Sequence, residues 1–129
     1  MKTEQSMVRE FHQAFGHPVA ERPEMLGPRR VACRSSWMAE EVEEFKAAGT
    51  LEDQADAMID LLYFALGTLV ELGVDAETLF HIVHRANMGK LWPDGKARFH
   101  PDGKVLKPPA WRDPGDALRQ EIARQLAAV

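Results

Sequence analysis

The run of apolar residues from Ala57 to Val70 most constrains how this chain can fold. Nearly every side chain in it is apolar, so a helix here is hydrophobic on all sides and requires burial. Asp60 lies in the middle of the run, and a carboxylate in an apolar interior is unfavourable unless a cation or hydrogen-bond donors compensate it. Because each residue turns a helix by about 100°, Asp53, Asp56 and Asp60 fall within about 60° of one another. The sequence therefore predicts an acidic stripe on a buried helix.

Composition describes a single globular domain that spans residues 1–129. The chain is 45% hydrophobic and 28% charged, as globular domains usually are. Its net charge of −4 argues against a nucleic acid polymer as partner. Cys33 is the only cysteine, so no intrachain disulfide can form and a reducing cytoplasm is expected. The N-terminus has no signal-peptide core, and the apolar run is too short to span a bilayer, so we expect no membrane partner.

Helix-ending residues divide most of the chain into five helices, and the predicted fold is all-α. We expect helices over residues 4–15, about 30–48, 51–72, 76–88 and 114–128. Gly49 follows the second helix as its end signal, and Thr50 caps the third. The turn between them is so short that these two helices must form an antiparallel hairpin. Pro-Asp-Gly-Lys occurs at 93–96 and 101–104, and this turn chemistry predicts a small β-hairpin or coil in the tail.

The hairpin brings a second group of acids level with the first. Glu40, Glu41 and Glu44 share an arc of about 100° on the second helix. Glu44 lies about as far before the turn as Asp56 lies after it, and Glu40 and Glu41 match Asp60 in the same way. Carboxylates that lie level on neighbouring helices repel one another and require a positive counter-charge. Mg²⁺ or Mn²⁺ accepts oxygen ligands of this kind and completes its shell with phosphates, so the pattern predicts a metal site for phosphoryl chemistry.

Other interpretations of the same acids stay open at this point. A glutamate run such as 40–44 is most often a solvated helix face, and Asp53 in a first turn favours the helix dipole without any function. Asp60 is not explained in that way, because it lies at mid-helix among apolar neighbours. A di-iron bundle requires Glu-x-x-His pairs, and the sequence has none. A non-catalytic helical module for assembly or metal-dependent partner binding is the remaining alternative.

Several motifs together resemble the MazG-like all-α nucleoside triphosphate pyrophosphohydrolases. They are Glu-Glu-x-x-Glu at 40–44, Asp-Leu-Leu-Tyr-Phe at 60–64, His-Arg-Ala-Asn-Met-Gly-Lys at 84–90 and Pro-Asp-Gly-Lys-Val-Leu-Lys-Pro-Pro-Ala-Trp at 101–111. The likeness covers roughly residues 8–113. That superfamily also includes phosphoribosyl-ATP pyrophosphohydrolases and dimeric dUTPases. The resemblance implies Mg²⁺-dependent hydrolysis of a nucleoside triphosphate such as dUTP to a monophosphate and pyrophosphate, with phosphoribosyl-ATP as an alternative substrate.

The resemblance also implies roles for the acids of the hairpin. Glu41, Glu44 and Asp60 match metal ligands of the family, and Glu40 matches a glutamate that orients or deprotonates the attacking water. The second family motif is Glu-x-x-Asp, and this chain departs from it because Ala57 occupies the Glu position.

We expect Asp56, one turn before Asp60, to replace the missing glutamate as a ligand. In a second register, Asp53-x-x-Asp56 is the motif; it is disfavoured because the spacing from Asp60 to Gly73-Val74 suits the family pattern better.

The residues expected to bind substrate are spread along the chain. The resemblance places Asn87 and Lys90 near the triphosphate, and Lys104 and Lys107 in the tail are further candidates. Arg34 lies on roughly the same helix face as Glu41 and is expected to reach a phosphate.

Among the aromatic residues, Tyr63 is the one expected to meet the substrate, one turn after Asp60, while Phe11, Phe15 and the tryptophans are expected in the core. An apolar third helix needs more neighbours than one short chain supplies, so we expect a homodimer with a four-helix-bundle core and active sites near the interface.

Overall fold

The computed structural model describes residues 1–129 and contains five helices and two short strands. They are α1 (Lys2–Phe15), α2 (Pro28–Ala47), α3 (Leu51–Leu72), α4 (Ala76–Met88), β1 (Arg98–Phe99), β2 (Val105–Leu106) and α5 (Gly115–Ala127). The predicted all-α fold is confirmed, and each helix boundary lies within two residues of its expected position. β1 and β2 pair antiparallel around the predicted turn. No single helix is long and apolar enough to cross a membrane; only α3 and α4 together, with axes that turn by 115°, reach that length and composition.

The ends of α3 follow from its sequence. The Oγ1 atom of Thr50 accepts a hydrogen bond from the backbone N–H of Asp53 at 3.1 Å, which satisfies one of the free donors of the first turn. At the other end, Gly73 adopts a left-handed conformation with φ of 71°, which only glycine adopts without strain. The backbone N–H of Gly73 donates to the carbonyl groups of Leu69 and Val70.

The end of α2 differs from the prediction. The sequence predicts a helix to about residue 48, followed by Gly49 as its end signal. Instead α2 ends at Ala47, and Ala48 turns the chain away in an extended conformation, with φ of −65° and ψ of 129°. Gly49 does not have a positive φ. The turn is tight because of the extended residue, and the α2–α3 hairpin forms as expected.

Helices α2 and α3 pack along each other, and α1 crosses the C-terminal half of α3. Val8 of α1 is buried against Leu66 of α3 and Ala76 of α4. The connector between α1 and α2 is held to the end of α3, because the N–H of Ala20 donates to the carbonyl of Val70 at 3.2 Å. These contacts leave the half of the α2–α3 hairpin that lies near its turn, the end of α2 and the start of α3, free of α1.

A buried ion-pair network fixes the register of α2 on α3. The side chain of Glu71 is fully buried and accepts contacts from Arg30 at 2.8 Å and Arg34 at 3.2 Å. Arg34 also donates to the Oγ1 atom of Thr68 and the carbonyl of Phe64. A buried charge left without its partner costs several kcal/mol, on the order of 3–5. The network therefore ties one relative position of the two helices to the stability of the fold.

The expectation that α3 is buried on every side is wrong for the single chain. Only the faces towards α1 and α2 are buried, while Leu51 is 78% exposed, Ile59 60% and Leu62 42%. These residues lie where neither helix covers α3. The apolar character of the run is therefore not explained by contacts within one copy of the chain.

Candidate active site

Three carboxylates meet between α2 and α3 in the half of the hairpin near its turn. Glu41 and Glu44 are three residues apart and therefore share a face of α2. Asp60 faces them from α3, at the level that the short turn dictates. One oxygen atom from each residue can be chosen so that all three lie within 4.8 Å of one another. We call Glu41, Glu44 and Asp60 the carboxylate cluster; the sequence predicted that these residues converge.

The cluster is electrostatically uncompensated. Burial raises the pKa of Glu41, and a hydrogen bond with Glu44 and the negative charges of Glu44, Asp60 and Asp56 raise it further, to about 7. Burial also raises the pKa of Asp60, as do the charges of Asp56 and Glu44. The Oε2 atom of Glu41 is buried and has no hydrogen-bond partner. Every resolved charge that acts on these two groups is negative.

These properties fit a hard divalent cation. A cation such as Mg²⁺ or Mn²⁺ takes carboxylate oxygens as ligands, supplies the missing counter-charge and gives the orphaned oxygen of Glu41 a partner. The residues that would hold it are Glu41, Glu44 and Asp60. The cluster has no histidine or cysteine ligand, so its donor set is less suited to zinc.

Asp56 and Glu40, the other two acids predicted for the site, lie beside the cluster and not within it. Asp56 is exposed on α3, close enough for its charge to raise the pKa values of Glu41 and Asp60, yet it is not one of the three converging residues. Glu40 is exposed on α2 and lines an open cleft that it shares with Glu44. Both side chains therefore have access to the cluster through solvent.

The same two helices also border an aromatic pocket of about 230 Å³. Its walls come from α1, the connector, α2 and α3, and the lining residues are Phe11, His12, His17, Arg34, Trp37, Tyr63 and Phe64. The ring of Tyr63 meets Phe11 edge to face at 5.6 Å, and His17 meets Trp37 edge to face at 6.1 Å. Such rings offer faces and edges to a planar ligand.

The pocket lies one helical turn from the carboxylate cluster on both helices. Trp37 precedes Glu41 by four residues on α2, and Tyr63 follows Asp60 by three on α3. These offsets are roughly 6 Å and 4.5 Å along the helix axes. Since α2 and α3 are antiparallel, both offsets point the same way, away from the hairpin turn. Tyr63 was expected to meet the substrate, and the structure places it in this pocket.

Other pocket residues were missed from the sequence. The sequence pattern places Trp37 and Phe11 in the core and gives no signal for His17. The spacing of four between Trp37 and Glu41 is a signal that could have identified Trp37, because it puts both on one face of the helix. The position of His17 depends on the path of the irregular connector, which no periodicity predicts.

The structure gives Arg34 a different position from the predicted one. Its side chain is only 3% exposed, and its three guanidinium nitrogens are bonded to Glu71, Thr68 and the carbonyl of Phe64. Its charged group also lies 5.4 Å from the centre of the Trp37 ring. Arg34 therefore supports the wall of the pocket, and each of its three nitrogens is already engaged by a group within the protein. Glu71, the acidic residue that pairs with Arg34, was not among the predicted site residues.

The basic residues predicted to bind phosphate gather in the tail. Lys90, Lys104 and Lys107 line one cleft together with His100, and Asn87 is exposed at the end of α4. This part of the chain packs on α4 and α5. The structure thus brings the three lysines together but does not place them on the carboxylate cluster of their own chain.

The fold and the site together define a class: an all-α chain whose central helical hairpin carries a carboxylate cluster suited to a hard cation. The chain belongs to the phosphoribosyl-ATP pyrophosphohydrolase family, whose model matches residues 8–87.

A crystal structure named "putative NTP pyrophosphohydrolase", from Exiguobacterium sp. 255-15, is 31% identical and superposes with a TM-score of 0.56, over 97% of this chain and 96% of that one. No curated protein sequence matches significantly. The resemblance to MazG-like enzymes is thereby confirmed. The chain is a nucleotide pyrophosphohydrolase, and the family match favours this over the alternative of a non-catalytic module.

Proposed function

We propose that this enzyme hydrolyses a nucleoside or deoxynucleoside triphosphate to the monophosphate and pyrophosphate, with Mg²⁺ or Mn²⁺ as its cofactor. The observation that carries the proposal is the carboxylate cluster one helical turn from an aromatic pocket. A nucleotide has the same two parts, a planar base and an anionic chain that binds divalent cations. A cytoplasmic location is proposed with it, on the basis of the single cysteine.

The spacing of the two parts favours cleavage between the α- and β-phosphates. With the base between Trp37 and Tyr63, the ribose spans the next turn, and the α-phosphate is the first phosphorus level with Glu41 and Asp60. The β- and γ-phosphates extend beyond it and leave together as pyrophosphate. A divalent cation in such a site neutralises the developing charge and lowers the pKa of the attacking water.

The acidic residues of the hairpin have different roles that follow from their positions. Glu41, Glu44 and Asp60 hold the cation, because only their oxygens converge. Asp56 assists from one turn away through water. Glu40 shares an open cleft with Glu44, so its carboxylate is placed to orient the attacking water and to accept its proton without being a ligand.

The pocket supports a nucleoside triphosphate over phosphoribosyl-ATP as substrate. Phosphoribosyl-ATP carries a second sugar phosphate on its adenine ring and requires a second anion-binding group beside the base. The one arginine at the pocket, Arg34, is buried and already bonded to Glu71, Thr68 and the carbonyl of Phe64. A volume of about 230 Å³ also suits a single small base, so dUTP is the proposed representative substrate. The family match keeps phosphoribosyl-ATP as the second candidate.

The test is product analysis with a panel of substrates. Purified protein is incubated with Mg²⁺ and each of the common nucleoside triphosphates, dUTP and phosphoribosyl-ATP, and pyrophosphate and nucleotide products are separated by anion exchange. The proposal predicts monophosphate and pyrophosphate in equal amounts, with turnover lost in Glu41→Gln and Asp60→Asn and retained in Glu10→Gln, which removes an exposed charge from α1. Diphosphate and inorganic phosphate as products, or no hydrolysis of any substrate, would refute it.

A further inference from the structure

Arg30 and Glu71 form an ion pair beyond the aromatic pocket, farther from the hairpin turn than the carboxylate cluster. Neither residue lines the pocket. Arg30 donates from Nε to one carboxylate oxygen of Glu71 at 2.9 Å and from Nη2 to the other at 2.8 Å, and two parallel bonds of this kind fix the orientation of a guanidinium group. Glu71 is fully buried, whereas the side chain of Arg30 is 30% exposed. The position of Arg30 therefore depends on Glu71.

The stability of the fold does not by itself explain this pair. The cost of removing two charges from water largely offsets their attraction, and apolar residues of similar volume are often as stable or more stable. Arg34 already joins the two helices through the hydroxyl group of Thr68 and the carbonyl of Phe64, so the hairpin keeps its register without Arg30. A role for Arg30 and Glu71 outside the packing of the hairpin is therefore indicated.

Arg30 meets the wall of the pocket at the ring of Trp37. Arg30, Arg34 and Trp37 follow one another at spacings of four and three on α2 and therefore share a face of the helix. The guanidinium carbon atoms of the two arginines lie over the indole ring, 5.6 Å and 5.4 Å from its centre, within the range of cation–π attraction. Arg34 is held in addition by two hydrogen bonds to α3, so Arg30 is the contact that depends on Glu71 alone.

Trp37 relies on such contacts more than the other two tryptophans do. The indole N–H groups of Trp92 and Trp111 donate to backbone carbonyls. Trp37 is half-buried and is held by ring contacts, with Phe64 at 5.9 Å, His17 at 6.1 Å and the two arginines. Because its ring forms part of the wall of the aromatic pocket, a change in its orientation changes the surface that meets a base.

We propose that Glu71 and Arg30 are positioning residues for substrate binding: Glu71 holds the guanidinium group of Arg30 over Trp37, and this contact fixes the indole ring in the orientation that stacks on the nucleotide base. The inference rests on the proposed function and adds to it two residues that do not touch the substrate. Arg30 precedes Glu41 by eleven residues, about 16 Å along α2. The pair therefore acts on KM, whereas kcat and metal binding do not depend on it.

The test is a double-mutant cycle with Trp37→Ala, in which KM and kcat are measured for the nucleoside triphosphate that the wild type hydrolyses best. Arg30→Gln should raise KM roughly fivefold through the lost cation–π contact and leave kcat unchanged. Glu71→Gln should raise KM to the same extent. In the Trp37→Ala protein neither substitution should raise KM further, because the ring on which the pair acts is gone. An unchanged KM in Arg30→Gln, or the same rise with and without Trp37, would overturn the inference.

Arg30→Gln decides the test if Glu71→Gln does not fold, because Glu71 then keeps Arg34 as its partner. Arg29→Gln is the matched control, since it removes the same charge from the neighbouring exposed position, and it should leave KM unchanged.

Two further outcomes separate this inference from a structural role and from the proposed function. The affinity for Mn²⁺, measured by calorimetry, should be the same in Arg30→Gln and the wild type, because the carboxylate cluster keeps its geometry. A weaker affinity in Arg30→Gln would show that the helices have shifted and would overturn the positioning role. A wild type that hydrolyses no triphosphate would instead refute the proposed function, and the positioning role with it.

Discussion

Replacing Asp60 by asparagine should change the stability of the protein in opposite directions with and without Mg²⁺. Without a cation, the oxygens of Glu41, Glu44 and Asp60 lie within 4.8 Å of one another. Two unit charges at that distance in a water-like dielectric repel by about 1 kcal/mol. Part of this repulsion is already relieved, since burial and the charges of Asp56 and Glu44 raise the pKa of Asp60. Asp60→Asn should therefore raise the free energy of unfolding by about 1 kcal/mol and Tm by about 4 °C.

With Mg²⁺, the wild type should become more stable than Asp60→Asn. A ligand at about 100 times its Kd stabilises the folded state by about 2.7 kcal/mol, or about 10 °C in Tm for a chain of this size. Mg²⁺ should raise the Tm of the wild type by this amount and should raise that of Asp60→Asn only slightly. The assay is thermal unfolding followed by circular dichroism, in EDTA and in saturating MgCl₂, at a pH above the pKa of Glu41. Glu10→Gln serves as the control for charge removal. An Asp60→Asn protein that is less stable than the wild type in EDTA, or that responds equally to Mg²⁺, would refute the reasoning.

Three further predictions concern packing, pH and substrate affinity. Gly67→Ala should lower the free energy of unfolding in denaturant by roughly 1–3 kcal/mol, because the new methyl group would lie 2.7 Å from the ring of buried His12; Gly49→Ala, with no heavy atom within 4 Å, should not. The pKa of Glu41 is raised from 4.5 to about 7, so the metal-free protein should gain stability as the pH falls through that interval, while calorimetry should find weaker Mg²⁺ binding because protons compete. Trp37→Ala should raise KM for nucleotides roughly tenfold through lost stacking, with a smaller change in kcat. An unchanged KM would contradict the placement of the base in the aromatic pocket.

The helical hairpin and its acids were predictable because they depend on local rules. Helix periodicity puts Glu41 and Glu44 on one face, and a turn of three residues fixes which position on α3 faces them. Thr50 caps its helix as its residue type predicts. No long-range information was needed to bring Asp60 to the same place.

The remaining features depend on contacts that a single sequence does not specify. Arg34 is close in sequence to the acids of α2, yet it pairs with Glu71 at the far end of α3, because a buried arginine requires a buried partner. His17 reaches the aromatic pocket through an irregular connector. The exposure of Leu62 and its neighbours on α3 depends on a surface that this chain does not cover. Sequence patterns predicted the cluster, whereas the pocket beside it required the structure.

The central claim is that two neighbouring helices direct their carboxylates at one divalent cation, and metal binding tests it most directly. Mn²⁺ can be titrated into wild type, Glu41→Gln and Glu10→Gln, with free Mn²⁺ measured by electron paramagnetic resonance and Mg²⁺ added as competitor. The account predicts Mg²⁺-sensitive binding by the wild type and Glu10→Gln, and binding weakened at least roughly tenfold in Glu41→Gln. Equal binding by all three proteins, or none by the wild type, would contradict it.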